Sequence, residues 1–140
     1  MRDAAAALAH FYETLTPQSL ARLGDFYAPD ACFKDPFNDV HGLAAIERIF
    51  RHMFAELEAP RFAVVTQIVD GQQAMLGWVF SFRRGGRSIE IRGVSHLRFD
   101  HRGRVSMHRD YWDAAEELYA RLPMIGVLMR ALRRRLSAAR

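Results

Sequence analysis

The sequence predicts an α+β fold, with helices packed on one face of an antiparallel sheet. Three observations predict it. Apolar residues recur at helical spacing in three stretches between residues 4 and 57. After Pro60 the apolar period drops to two, as in a half-buried strand. Turn signals at Asp70-Gly71, Gly85-Gly86 and Asp100-His101-Arg102-Gly103 then cut the second half into consecutive hairpins.

The first helix runs from Ala4 to Leu15, with Leu8, Phe11, Tyr12 and Leu15 on one face. Thr16 is an N-cap residue and Pro17 suits a first helical position. The second helix therefore starts here, carries Leu20, Leu23, Phe26 and Tyr27 as its stripe, and stops at Ala28-Pro29-Asp30. Ala31 to Pro36 reads as a short strand. Gly42 opens a third helix with Ile46, Ile49, Phe50, Met53, Phe54 and Leu57 on one face, ending before Pro60. Phe62 to Val69, Ala74 to Arg83, Ser88 to Phe99 and Val105 to Trp112 make a four-stranded antiparallel meander. Ala114 to Leu136 is helical in pattern, broken near Pro123 and Gly126.

Turn lengths set the sheet faces. A two-residue Gly85-Gly86 turn puts Phe82 opposite Ile89, Phe80 opposite Ile91, Trp78 opposite Gly93 and Leu76 opposite Ser95. A four-residue turn after Phe99 puts Leu97 opposite Ser106 and Ser95 opposite His108. One face then gathers Trp78, Phe80, Phe82, Ile89, Ile91 and Trp112, and with them the polar trio Ser95, His108 and Asp110. This mostly apolar face must lie under the helices. The other face holds Val79, Arg92, Val94, Met107, Arg109 and Tyr111, a mixture suited to solvent or a homodimer contact. A slip of one residue would invert both faces.

The chain has 140 residues, which bounds it to a single domain over 1–140 with a basic helix over about 114–140. Half the residues are hydrophobic and 26% are charged, which excludes disordered, collagen-like and disulfide-scaffold classes. Cys32 is the one cysteine; it lies in an apolar stretch and reads as a buried, inert thiol. A lone cysteine, no secretory pattern and no apolar run near 20 residues point to a cytoplasmic protein. The net charge of +4 comes from the end of the chain: Leu118 onward holds six arginines and no acid, leaving 14 basic against 16 acidic residues before it. A nucleic-acid partner is therefore not expected. The C-terminal stripe reads as a docked helix whose cations suit its dipole, with contact to an anionic membrane surface as the alternative. No zinc spacing, phosphate loop or dinucleotide fingerprint occurs, so no metal or cofactor is expected.

Chemistry is carried by few residues. His108 and Asp110 are two apart on a strand and point the same way. A carboxylate beside a histidine in an apolar setting is a base or an orienting group; a structural pair, or an ion pair with Arg104, is the alternative. Asp35 precedes Pro36, so it is extended, and follows Phe33. It is either a turn aspartate leading into Asn38 or a pocket carboxylate. Trp78 and Trp112 lie on the inward face as core filling or as a stacking wall.

Tyr27-Ala28-Pro29-Asp30-Ala31-Cys32-Phe33-Lys34-Asp35-Pro36, followed by Gly42 and a helix with Ile46 and Phe50, resembles the signature of the nuclear transport factor 2-like superfamily. That group includes ketosteroid isomerases and SnoaL-like polyketide cyclases. Phe99 to Val105, running to Asp110-Tyr111-Trp112-Asp113, resembles the final hairpin of SnoaL-like proteins. The resemblance covers roughly Leu8 to Asp113. It implies a cone-like α+β barrel: a curved sheet wrapped on N-terminal helices, a pocket at the open end, and a dimer. It also implies that Asp35 matches the ketosteroid isomerase base. The isomerase's helical tyrosine falls near Phe11, one position from Tyr12, and its protonated aspartate falls near Ser95. Steroid isomerisation itself is therefore not expected.

The expected protein takes an apolar small molecule in a pocket. It acts as an isomerase, cyclase or dehydratase by abstracting a proton next to a carbonyl. Asp35 or the His108–Asp110 pair is the base, and Tyr12 or Ser95 the donor; Phe33, Trp78 and Trp112 complete the binding wall. The alternative is a non-catalytic ligand-binding or dimerising module of the same fold.

Overall fold

The computed structural model describes residues 1–113 together with Arg134 and Arg135. The expected C-terminal helix lies outside the described residues, apart from Arg134 and Arg135, which are helical and exposed.

Helix α1 spans Arg2–Glu13 and buries Leu8, Phe11 and Tyr12. The second helix is shorter than its apolar stripe suggests. A 3-10 turn over Ser19–Arg22 leads into a single helical turn, α2, Leu23–Phe26. Thr16 caps the turn as expected: its Oγ1 accepts the Ser19 N–H at 3.1 Å, and Ser19 Oγ accepts the Thr16 N–H at 2.9 Å. Tyr27 is not helical. It begins strand β1, Tyr27–Lys34, and Pro29 lies within that strand. The register against the neighbouring strand shifts between Tyr27 and Cys32, so Pro29 sits in a bulge where its missing N–H costs no ladder bond. Cys32 lies on the outward side of β1 and is exposed, which corrects the expectation of a buried thiol: a strand alternates its side chains, and Phe33 takes the inward side.

A short strand β2, Asp39–His41, was not anticipated. Gly42, at φ 97°, then starts helix α3, Leu43–Glu56, which buries Ile46, Ile49 and Phe50. The long strands follow: β3 Glu58–Asp70, β4 Gln73–Arg84, β5 Arg87–Phe99 and β6 Val105–Tyr111. Pro60 falls inside β3, which is tolerated because β3 is an edge strand.

The six strands lie in the order β2-β1-β6-β5-β4-β3. The meander is antiparallel throughout, while β1 joins β6 in parallel. The β4–β5 pairing is the expected one, from Phe82 opposite Ile89 to Leu76 opposite Ser95. The β5–β6 pairing differs by two residues: Leu97 faces His108 and Ser95 faces Asp110. The turn is one residue longer than expected, since Phe99 pairs with Val105, and Ser106 is bulged. The two shifts of one residue cancel in parity from Met107 on, so Met107 to Tyr111 keep their expected faces. Val105, opposite Phe99, is inward and fully buried, a face the expected register gave to Arg104 and Ser106.

The helices cover the inward face and the sheet curls around them. Tyr12 on α1 bonds to Tyr27 on β1, and its ring centroid lies 6.0 Å from Phe62 on β3. In a flat sheet these strands, four spacings apart, would be separated by about 19 Å. Both can touch one tyrosine only because the sheet is strongly curved. Leu8, Leu20, Ile46, Leu76, Leu97 and Val105 fill the centre of the resulting core. Among the described residues no helix is long and apolar enough to cross a membrane.

Candidate functional site

The curl leaves a cavity of about 110 Å³ between the inward sheet face, α1, α3 and the Asp35–Asn38 turn. That is smaller than the roughly 150 Å³ of a cavity that takes benzene, which bounds a ligand to about one small ring or a short branched chain. Its walls are largely apolar. Phe33, Phe50, Phe62, Phe80, Ile91 and Trp112 are among the residues that form them. Leu57, Phe82 and Ile91 belong to a second apolar cluster, joined by Phe37 and Trp112.

The polar groups form one connected chain. Trp78 Nε1 donates to Ser95 Oγ at 2.9 Å, and Ser95 Oγ donates to Asp110 Oδ1 at 2.5 Å. Asp110 Oδ1 also lies 2.6 Å from His108 Nε2. On the other side of that ring, His108 Nδ1 is 2.7 Å from the Tyr27 hydroxyl and 3.1 Å from the Tyr12 hydroxyl. The two hydroxyls also bond to each other. Ser95 and His108 are buried. Burial raises the pKa of both tyrosines, and the nearby Asp110 charge adds to it, so both remain phenols at working pH.

Asp35 stands apart from this chain. Its Oδ1 accepts the N–H groups of Phe37 at 2.8 Å and Asn38 at 2.6 Å, and Asn38 Nδ2 lies 3.2 Å away. These bonds make it the turn aspartate of the local pattern, yet it also lines the cavity. Burial pushes its pKa up to about 6, the Asp110 charge adds to the rise, and the donors at Oδ1 oppose it. Among the described residues no Lys or Arg lines the cavity, and none provides a group of three or more His, Cys, Asp or Glu side chains able to hold a metal ion.

This arrangement of helices, curled sheet and lined cavity has counterparts. A family model described as a SnoaL-like domain matches residues 8–108. The chain belongs to the SnoaL-like family. No curated protein matches it in sequence. Among solved structures, a protein of ketosteroid isomerase-like fold from Catenulispora acidiphila, determined with trimethylamine, is 17% identical with a TM-score of 0.72, covering 86% of this chain and 94% of that one. An NTF2-like protein of unknown function from Burkholderia pseudomallei is 22% identical with a TM-score of 0.73, covering 85% and 97%. An LEH-like epoxide hydrolase of M. tuberculosis is 16% identical with a TM-score of 0.72, covering 94% and 97%. At these identities the likeness concerns the fold.

In this SnoaL-like domain Asp35, His108, Asp110, Tyr12, Phe33, Trp78, Ser95 and Trp112 all line the one cavity. Phe11, near which the resemblance puts the isomerase tyrosine, does not line it and stacks 4.3 Å from Phe26, whereas its neighbour Tyr12 does. Arg104 is not a partner of Asp110. It lies 3.7 Å from Asp100 in the preceding turn. Three residues shape the site beyond those expected from the sequence. Tyr27 was assigned to a helical stripe, whereas its position two before Pro29 in β1 puts it behind His108. Asn38 is buried and clamps Asp35; its place three residues after Asp35, in the turn that Asp35-Pro36 opens, was the available signal. Gly93 makes room for Trp78: a Cβ there would lie 2.5 Å from the indole.

Proposed function

We propose that this SnoaL-like domain is a small-molecule acid–base enzyme that removes a proton from a carbon next to a carbonyl. The observation that carries this reading is Asp35: a carboxyl held near pKa 6 on the wall of a largely apolar cavity, apart from the polar chain of His108 and Asp110. A base poised near neutrality is ionised at working pH and still basic enough to accept a carbon proton. Asp35 is the base. The hydroxyl of Tyr12, a residue that lines the cavity from α1, holds the carbonyl oxygen where negative charge develops. The carbon–hydrogen bond breaks, the proton passes to the Asp35 carboxylate, and its electron pair becomes the enolate. Return of the proton to the γ-carbon of an unsaturated substrate completes an isomerisation, and its transfer to a departing β-hydroxyl, which leaves as water, completes a dehydration. His108 and Asp110 orient the polar wall.

The apolar lining and the cavity volume favour a neutral substrate about the size of one ring. We further propose that two copies pair through the outward sheet face, where Met75 and Tyr111 are exposed beside Arg109.

Incubation of the protein with cyclohexanone in D2O, followed by proton NMR, tests the reaction class. Catalysed loss of the α-proton signals, abolished in Asp35→Asn, is the expected result. Ketone binding with no exchange above the buffer rate would instead mark a ligand-binding module.

A further inference from the structure

The polar chain behind the cavity wall has a definite proton count. Asp110 Oδ1 accepts from Ser95, whose own oxygen is occupied by the Trp78 N–H. A carboxylate has no proton to give, so the proton between it and His108 Nε2 belongs to the histidine. We assign His108 as the neutral imidazole, which with its proton on Nε2 has a single lone pair on Nδ1. Two phenols reach for that lone pair, Tyr27 at 2.7 Å and Tyr12 at 3.1 Å. Only one proton can occupy it, and the shorter contact belongs to Tyr27. The Tyr12 proton is then left with the Tyr27 oxygen as its partner.

The two tyrosines differ in what they face. Tyr12 lines the cavity, while Tyr27 is fully buried behind it and does not. The ring between them is held in place: Phe33 lies 4.5 Å from the imidazole centroid, and the Tyr27 ring stacks on it at 6.0 Å and 13°. We infer that Tyr27 is a positioning residue: by filling the lone pair of His108 Nδ1, it leaves the Tyr12 hydroxyl proton free to bind a carbonyl oxygen in the cavity. A ligand carbonyl replaces the Tyr27 oxygen as acceptor, so one hydrogen bond is exchanged for another at little cost. Without the Tyr27 hydroxyl, Tyr12 is the one phenol in reach of Nδ1, and its proton is consumed there. This assignment rests on the acid–base reading of the cavity and specifies its ligand class as a neutral carbonyl compound.

The test titrates the full chain with cyclohexanone and with methylenecyclohexane, its carbon isostere, reading the quenching of Trp78 and Trp112 fluorescence. The wild type binds the ketone more tightly by roughly 3- to 10-fold, because a ketone oxygen is a better acceptor than the phenol oxygen it displaces. Tyr12→Phe removes the preference. Tyr27→Phe removes it equally although its side chain does not touch the ligand, and the double variant loses no more than either single one. A Tyr27→Phe protein that keeps the wild-type preference overturns the proposal. Equal binding of both probes by the wild type also overturns it, while leaving proton abstraction by Asp35 to the exchange experiment. Binding of neither probe overturns both readings. If Tyr27→Phe does not fold, the ring nitrogen shifts of His108 in the wild type decide: a protonated Nε2 with a bare Nδ1 supports the proposal, and a protonated Nδ1 overturns it.

Discussion

His108 Nε2 lies 2.6 Å from Asp110 Oδ1, two residues along the same strand and on the same inward face. Ser95 reaches the same oxygen from the neighbouring strand, so Oδ1 carries two donors. The carboxylate is thereby stabilised in a mostly apolar wall, where an unpaired charge would be expensive. Its charge is also felt across the cavity, where it helps raise the proton affinity of Asp35. The two carboxyl groups thus have different environments and different tasks.

Asp35→Asn is expected to abolish turnover and to stabilise the fold at neutral pH. The folded pKa of about 6 lies above the usual value of 3.8. Between these values the native state binds more protons than the unfolded one, so the Asp35 contribution to stability falls as pH rises through 6. Asparagine carries no charge and escapes this loss, by about 3 kcal/mol above pH 7. Melting curves at pH 7.5 and pH 4 check it: the variant's advantage appears at the first and vanishes at the second. Activity of the wild type, if Asp35 is the base, falls below pH 6 as the carboxylate takes up a proton.

Ser95→Ala removes a donor from Asp110 and orphans the buried Trp78 N–H. A loss of about 1–3 kcal/mol follows from unpairing such groups. That corresponds to a fall in Tm of roughly 3–10 °C for a chain of this size. A shift in Trp78 emission should accompany it, because the indole loses its hydrogen-bond acceptor. Unchanged emission would mean that Trp78 takes its partner elsewhere.

Gly93→Ala is expected to close the cavity. The new Cβ would meet Trp78 Cη2 at 2.5 Å, Trp78 Cζ2 at 2.6 Å and Trp112 Cβ at 3.0 Å. The rigid indole ring must move, and overpacking of this kind costs about 1–3 kcal/mol. Ligand titration by fluorescence should show lost binding in a protein whose circular dichroism is that of the wild type.

Val94→Glu tests the proposed pairing of two copies. Val94 faces outward opposite Gly77 and Tyr111, in the middle of the sheet. Placing a carboxylate there in both copies would bring like charges together at the symmetric contact. Sedimentation velocity should show a shift from dimer to monomer, and an unchanged dimer would place the contact on another surface.

Much of the fold was legible in short-range pattern. Helical spacing in α1 and α3 and the alternation in β4 and β5 each reflect one buried face, and burial is what apolar patterning records. The 3-10 segment and the brief α2 were not separable from a full helix, because Leu20 and Leu23 satisfy either geometry. The strand β2 has three residues, too few for a period to show.

The sequence by itself determined which side chains point inward, since alternation on a strand is fixed by backbone geometry and survived a two-residue change in register. Ser95, His108 and Asp110 were therefore readable as one group. Only the tertiary structure decided what meets them. Tyr12, Tyr27 and Asp35 come from other segments, and their meeting depends on the curl of the sheet and on the parallel pairing of β1 with β6, a contact between elements about 70 residues apart. No local pattern encodes such a pairing. It follows from which closed arrangement buries the most apolar surface while leaving Trp78 its space beside Gly93.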